Sequence, residues 1–433
     1  MFSEINWIKE NKICPSLSKE LVQIYRQHKW VPAFLSKPLM SLKNSLRKVN
    51  VIVQLDANHW LTALNTDNLA GTLGCQVNQK LDLIGGFSTR VNIKTLRKMA
   101  DHHGIKKIWS DREVRAFLDV ACPVVNAPPV WRRGLRGKGI GMAVLDTGIY
   151  PHPDLVSPVN RITAFKDFIG GRIQPYDDNG HGTHCAGDAA GNGYKSGGKY
   201  RGAAPGANVI GIKVLNKQGS GYMSNVIAGI QWCVDNKVKY GIRVLSISLG
   251  AAANTSYKND PLCLAVEKAW NSGIVVCVAA GNEGPDAGTI STPGIDPRVI
   301  TVGALNDKNT VAKSDDAIAS FSSRGPTVDG LTKPDVVAPG VNIVSLRSPN
   351  SYIDKISRQA RVGNSYITLS GTSMATPICA GLAALILEAC PALTPNEVKN
   401  ILKSTCRTIN PNPNAQGAGL IDAWSARNRC RGS

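Results

Sequence analysis

The chain has 433 residues, 43% hydrophobic and 6% aromatic, with 42 glycines, which leaves room for two or three globular domains and excludes a fibrous or low-complexity protein. Its formal net charge of +19 raises nucleic-acid binding, yet the excess is divided on both sides of Val130 and no finger, RNP or basic-helix signature accompanies it. A solvated basic surface with no specific nucleic-acid partner is therefore expected.

No apolar run approaches the roughly 18 residues of a membrane span, and Glu4, Lys9 and Glu10 put charges where a secretion signal is apolar. A cytoplasmic protein with no membrane partner is expected. The cysteines agree: there are 11, an odd number, and Cys277 and Cys379 lie inside apolar runs. That favours reduced core thiols over a disulfide framework. No C-x-x-C pair occurs, so a thiolate zinc site is not expected.

Residues 1–48 read as a helical extension, with "KELVQIYRQHKW" apolar at helical spacing. From Val49 the pattern becomes "VNVIVQL" (strand), "HWLTALNTDNLAGTLG" (helix), "CQVNQKLDLIGGFSTRV" (two strands about a turn), "IKTLRKMADHHG" (helix) and "IKKIWSD" (strand). That βαββαβ order is the ferredoxin-like α+β arrangement and assigns 49–119 to a small domain. "DVACPVVNAPPVWRRG" is rich in Pro and lacks helical period, so 120–136 reads as a linker. Over 137–430, apolar strands such as "GIGMAVLDTG", "NVIGIKVLN", "VLSISLG" and "GIVVCVAAGN" alternate with helices, which implies an α/β domain with a mainly parallel sheet covered on both faces. Sites in such sheets gather at the carboxyl ends of strands.

The polar motifs fall at those ends. Asp146 follows a buried strand, where loop amides can hold a carboxylate to orient a histidine; alone it is also an ordinary strand-end turn. His181 and His184 in "GHGTH" precede a small-residue helix start. They suit a general base, or a zinc pair, although the Glu of H-E-x-x-H is absent. Asn282 in "VAAGNEG" can donate into a cleft as an oxyanion hole requires, or simply turn the chain. In "LSGTSMATP", Ser370, Thr372, Ser373 and Thr376 lead into "ICAGLAALILEAC". They can cap the helix, while Ser373, flanked by Gly371 and Ala375 at the positive end of the dipole, is best placed as a nucleophile.

Together, "AVLDTGIYPHPDL", "GHGTHCAG", "AAPGA", "VAAGNEG", "FSSRGP", "KPDVVAPG" and "GTSMATP", in this order, resemble the subtilisin-like serine proteases. The resemblance implies a three-layer α/β catalytic domain. It makes Asp146 the orienting acid, His181 the base, Ser373 the nucleophile and Asn282, with the Ser373 N–H, the oxyanion donor. Ser248, Leu249 and Gly250 would pair with an extended substrate, and Ala280 and Gly281 would wall the primary specificity pocket. His184 would be structural. The implied activity is endopeptidase cleavage of proteins and peptides, broad but biased to large apolar or aromatic side chains, with no cofactor needed for the chemistry. Residues 49–111 resemble the inhibitory propeptide of these enzymes, which implies a zymogen that processes itself between Asp119 and Ala127. The N-terminal extension ahead of it resembles the intracellular AprX-type branch. Asp154 in "HPDL" matches a position that often binds structural calcium. Cys185 stands where the family usually has Val, and the insertion "SLRSPNSYIDKISRQARVGNSYITL" has no assigned purpose. The rivals are a silent peptide-binding relative, a basic nucleic-acid scaffold, and a zinc peptidase using His181 and His184.

Overall fold

The computed structural model describes residues 12–14, 17, 18, 21, 48–56, 66–81, 85–110 and 118–431. The expected helix in "KELVQIYRQHKW" and the start of "HWLTALN" lie largely outside them. The chain divides into two units, Met1–Arg115 and Ala116–Ser433.

In the first unit, β1 (Lys48–Leu55), α1 (Thr66–Leu73), β2 (Gln79–Leu81), β3 (Gly86–Asn92), α2 (Ile93–Asp101) and β4 (Ile105–Ser110) follow in the expected order. The sheet runs β2-β3-β1-β4 and its pairings are antiparallel. Alternation in β1 turns Val49, Val51, Val53 and Leu55 inward. Asn92 caps α2 by accepting from the Thr95 N–H at 2.8 Å, so that Leu96, Met99 and Ala100 face the same core. Ile13 bridges Ile108 in β4, and Cys14, Leu17 and Leu21 are buried with this sheet. The described part of the N-terminal extension thus belongs to this unit's core.

The second unit opens with α3 (Leu118–Val124) and α4 (Ala127–Arg132). This corrects the linker expected over 120–136: Val120, Ala121, Val125 and Val130 are buried in the main core, and the Trp131 indole N–H donates to Ala203 O at 2.9 Å. The prolines that suggested a linker include one in the first turn of α4, where a missing N–H costs nothing.

The main sheet is built from β5 (Gly141–Asp146), β6 (Ile162–Asp167), β7 (Asn208–Lys213), β8 (Ile242–Ile247), β9 (Val275–Ala279), β10 (Ile300–Asn306), β11 (Ala317–Ile318) and β12 (Val336–Pro339). Its order is β11-β10-β9-β8-β5-β7-β6 with β12 on β10. All pairings are parallel except β10 with β11. Every residue of β5 and β9 is buried, as strands covered on both faces require. Between the strands run α5 (His181–Ala190), α6 (Met223–Asp235) and α7 (Pro261–Asn271). After β12 come β13 (Ile343–Leu346), α8 (Tyr352–Ile356), β14 (Arg361–Val362) and β15 (Tyr366–Leu369), whose strands form a small antiparallel sheet ordered β13-β15-β14. The insertion is therefore an ordered subdomain.

The chain then enters α9 (Thr372–Ala389), followed by α10 (Pro395–Ser404) and α11 (Ala423–Arg431). Helix α9 packs on β8, β9, β10 and β12 and against α5. By length and composition it is apolar enough to cross a membrane, which corrects the reading that no such stretch exists. It is a core helix instead, 83% buried over that window. The expectation of thiols throughout is corrected at one pair: Cys390, just past α9, is disulfide-bonded to Cys430 in α11.

Candidate active site

Strand β5 delivers Asp146 to its carboxyl end, and α5 begins at His181 on the neighbouring loop. Two glycines allow that approach. A Cβ at Gly182 would sit 2.3 Å from Gly148 O and 3.0 Å from the Asp146 Cβ, while Gly180, at φ +105, packs against Ser351 Oγ. With the helix this close, His181 Nδ1 lies 2.8 Å from Asp146 Oδ1, and the same oxygen accepts the Thr147 N–H at 2.7 Å. Asp146 is fully buried, whereas the His181 side chain is 22% exposed. Burial pulls the His181 imidazole down, but Asp146, joined by Cys185, outweighs it and holds the pKa well above the usual histidine range.

Ser373 occupies the first turn of α9. Pro377, four residues on, has no N–H to give to Ser373 O. That carbonyl accepts instead from Ser248 Oγ at 2.9 Å and the Cys185 thiol at 3.4 Å, which ties α9 to the end of β8 and to the middle of α5. The Ser373 hydroxyl here donates to Ser248 O at 3.1 Å. Cys185 Sγ also lies 3.8 Å from His181 Nδ1, so one thiol touches both the histidine and the serine's carbonyl. Burial pushes that thiol up to about 12.

Asn282 follows β9. Its Oδ1 accepts from the Thr372 N–H at 2.9 Å and Thr372 Oγ1 at 3.1 Å. A backbone N–H can only donate, so the atom facing it is the amide oxygen, and the NH2 group is left for the cleft. Thr372 went unnoticed in the sequence except as a cap.

The strand-like run Ser248, Leu249, Gly250 borders two cavities. One, of about 170 Å³, adjoins Ser373 and is walled by Ala279, Gly281, Asn282 and Glu283. Ala280, expected in that wall, is instead fully buried with Cys263, Ile290 and Ile295, because successive residues leaving β9 point to opposite sides. Glu283 was not singled out from the sequence, although it follows Asn282 directly. Its carboxylate accepts from the Asn282 N–H at 2.8 Å and Ser323 Oγ at 3.1 Å. The second cavity, about 550 Å³, adjoins His181 and includes Leu215, Gly219, Tyr352 and Ile353.

Metal readings narrow sharply. His184 is fully buried, with Nδ1 3.0 Å from Asp188 Oδ2 and Nε2 near Ile343 O and Ile367 O; both its nitrogens are engaged in the fold, against a zinc pair with His181. Among the described residues, the group close enough to share an ion is Asp146, His181 and Cys185, which is the site itself. At Asp154, calcium does not fit. Oδ1 accepts the Lys195 N–H at 2.9 Å, Oδ2 accepts the Tyr366 hydroxyl at 2.8 Å, and the Arg161 guanidinium donates to Asp154 O at 2.5 Å. Three donors, one of them cationic, stand where a calcium cage needs six to eight oxygens.

A family model described as the subtilase family matches residues 137–419. The chain is 47% identical to serine protease AprX of Bacillus subtilis, over 98% of each protein. It is 37% identical to subtilisin Savinase of Lederbergia lenta over 70% of this chain and 96% of that protein. With a thermostable alkaline protease of Halalkalibacterium halodurans the identity is 34%, over 77% and 80%.

Proposed function

The chain belongs to the subtilase family and is a subtilisin-type serine endopeptidase; from that premise we propose that it cuts peptide bonds through an acyl-enzyme made by Asp146, His181, Ser373 and Asn282. The observation that carries this reading is the 2.8 Å Asp146–His181 contact beside a serine at the head of α9. With Nδ1 on Asp146, Nε2 is the nitrogen free to act. Rotation of the Ser373 side chain away from Ser248 O brings its proton to Nε2 as Oγ bonds to the substrate carbonyl carbon. The Asn282 NH2 and the Ser373 N–H receive the oxyanion. Collapse breaks the C–N bond, His181 protonates the departing amine, and water repeats the sequence to release the acid and restore Ser373. No cofactor enters these steps.

The substrate runs extended beside Ser248–Gly250, and the residue whose carbonyl is attacked (P1) drops its side chain into the 170 Å³ cavity. Broad specificity with an apolar or aromatic bias follows from main-chain pairing and small walls, and Glu283 turns acidic side chains away. The N-terminal unit serves as an intramolecular inhibitor that self-processing releases. A cut between Asp119 and Val124 has to open α3, whose Val120, Ala121 and Cys122 are buried; one between Val125 and Ala127 spares α3 but has to expose Val125, which is also buried. The enzyme works in the cytoplasm, where a reducing milieu suits buried thiols such as Cys122, Cys233 and Cys277, while the Cys390–Cys430 disulfide counts against that setting.

The test is intact mass of the wild type and Ser373→Ala after incubation and a fluorophosphonate probe. Splitting of the wild type near the unit boundary, with one probe on its large fragment and neither event in the variant, is expected. Labelling of Ser373→Ala, or a wild type inert even after proteolytic removal of the N-terminal unit, overturns the reading.

A further inference from the structure

We infer that the insertion between β13 and β15, through Tyr352 and Ile353, selects the substrate residue immediately before P1, here called P2; the inference rests on the proposed function. Side chains of an extended chain alternate. With P1 directed into the cavity beside Gly281 and Glu283, P2 emerges on the opposite side, toward His181. There the 550 Å³ cavity is bounded by Leu215 and by Tyr352 and Ile353 from α8. The insertion, which the chemistry does not use, thus supplies apolar surface within the histidine's own cleft.

Its mounting is what a selective wall needs. The Tyr352 N–H donates to Asp178 O at 2.8 Å, the Ile353 N–H to Asn179 O at 2.9 Å, and Ser348 Oγ to Asp177 O at 2.7 Å. These three carbonyls belong to the loop that runs straight into His181. Behind the wall, the buried Asp354 carboxylate accepts from Arg347 Nε at 2.5 Å and Nη2 at 3.0 Å, from Arg361 Nε at 2.7 Å and from the Asn350 N–H at 2.9 Å. The loop is therefore cross-braced from its root to its tip, and the tip is fixed to the backbone that positions the base. Tyr352 remains 37% exposed, free to cover an incoming side chain.

The test uses enzyme expressed as the full chain and allowed to process itself, with matched peptides carrying one P1 residue and Leu, Gly, Lys or Asp at P2. Wild type is expected to prefer Leu over Gly in kcat/KM. Tyr352→Ala and Ile353→Ala should each lower that ratio about tenfold, the worth of one or two methylenes in an apolar pocket, with the order of P1 preferences retained. Tyr352→Asp, at an exposed position, should raise the Lys-to-Asp ratio at P2. Ratios within twofold of wild type in Tyr352→Ala and Tyr352→Asp, both melting like wild type, overturn the inference. Should Ile353→Ala fail to fold, the two Tyr352 variants still decide. A wild type that cuts none of the peptides and takes no fluorophosphonate counts against the proposed function instead.

Discussion

Replacing Tyr366 with Phe removes one oxygen, and the structure says what that oxygen does. The Tyr366 hydroxyl donates to Asp154 Oδ2 at 2.8 Å, in a place where Asp154 is fully buried and Tyr366 only 4% exposed. Loss of the donor strands a buried carboxylate oxygen, worth about 2 kcal/mol for a bond to a charged group. With unfolding entropy near 2.1 cal/mol/K per residue, a unit of roughly 300 residues should melt about 3 °C lower. Calorimetry in the Ser373→Ala background, which prevents autolysis, gives the shift. Calcium separates the two accounts of Asp154. An ion bound there at a hundred times its Kd contributes about 2.7 kcal/mol, so chelation would lower Tm by about 4 °C. The donor set found here predicts no effect of chelator through Asp154. A wild type destabilised by chelator, together with a Tyr366→Phe variant that melts normally, refutes the reasoning.

Asn282→Leu should cut kcat about 10²–10³-fold with little change in KM, a magnitude taken from subtilisin's own oxyanion donor; near-wild-type kcat removes the role. An imidazolium cannot accept the Ser373 proton, and burial of His181 is outweighed by Asp146 and Cys185. Accordingly kcat/KM should climb with pH through a midpoint above the ordinary histidine value, and Asp146→Asn should move that midpoint down while slowing turnover. A midpoint at or below the ordinary value contradicts this. Cys185, pushed up to about 12 by burial, should resist alkylation near neutral pH. Reagents that do reach it should inactivate by bulk against His181 and α9, and a Cys185→Val variant that stays equally sensitive rules this out. Burial raises the Asp354 carboxyl, but Arg347, the Asn350 N–H and Arg361 prevail and hold it at about 2. Its stabilising contribution, present above the unfolded value, should be lost as pH falls from about 4 toward 2. Hydrogen exchange over 347–364 reads that loss; protection unchanged at pH 2 contradicts it.

Asp146, His181, Asn282 and Ser373 could be singled out as candidates because each stands where a buried apolar run meets glycines or hydroxyls, a junction that local sequence records. The strands of the main sheet were legible for the same reason, as "GMAVLD" is apolar on both faces. Three features were not. Helices α3 and α4 are too short and too rich in proline to show a period, and they are helical because their apolar residues find the core. The outward or inward sense of Ala280 depends on where β9 ends, a register that "VAAGNEG" does not encode. The partners of Asp154 and the wall beside His181 come from chain segments far off in sequence; Tyr366 is 212 positions from Asp154. Only the folded chain brings such pairs together, and no motif marks them.

Among the described residues, helix α9 is the helix long and apolar enough to cross a membrane, and it bears Ser373 in its first turn. It packs on β8, β9, β10, β12 and α5, and the serine's carbonyl is tied to Ser248 just after β8 and to Cys185 in α5. A chain whose core is incomplete accordingly lacks the ties that hold the serine's carbonyl, so the proposed nucleophile is aligned only by contacts with segments far off in sequence.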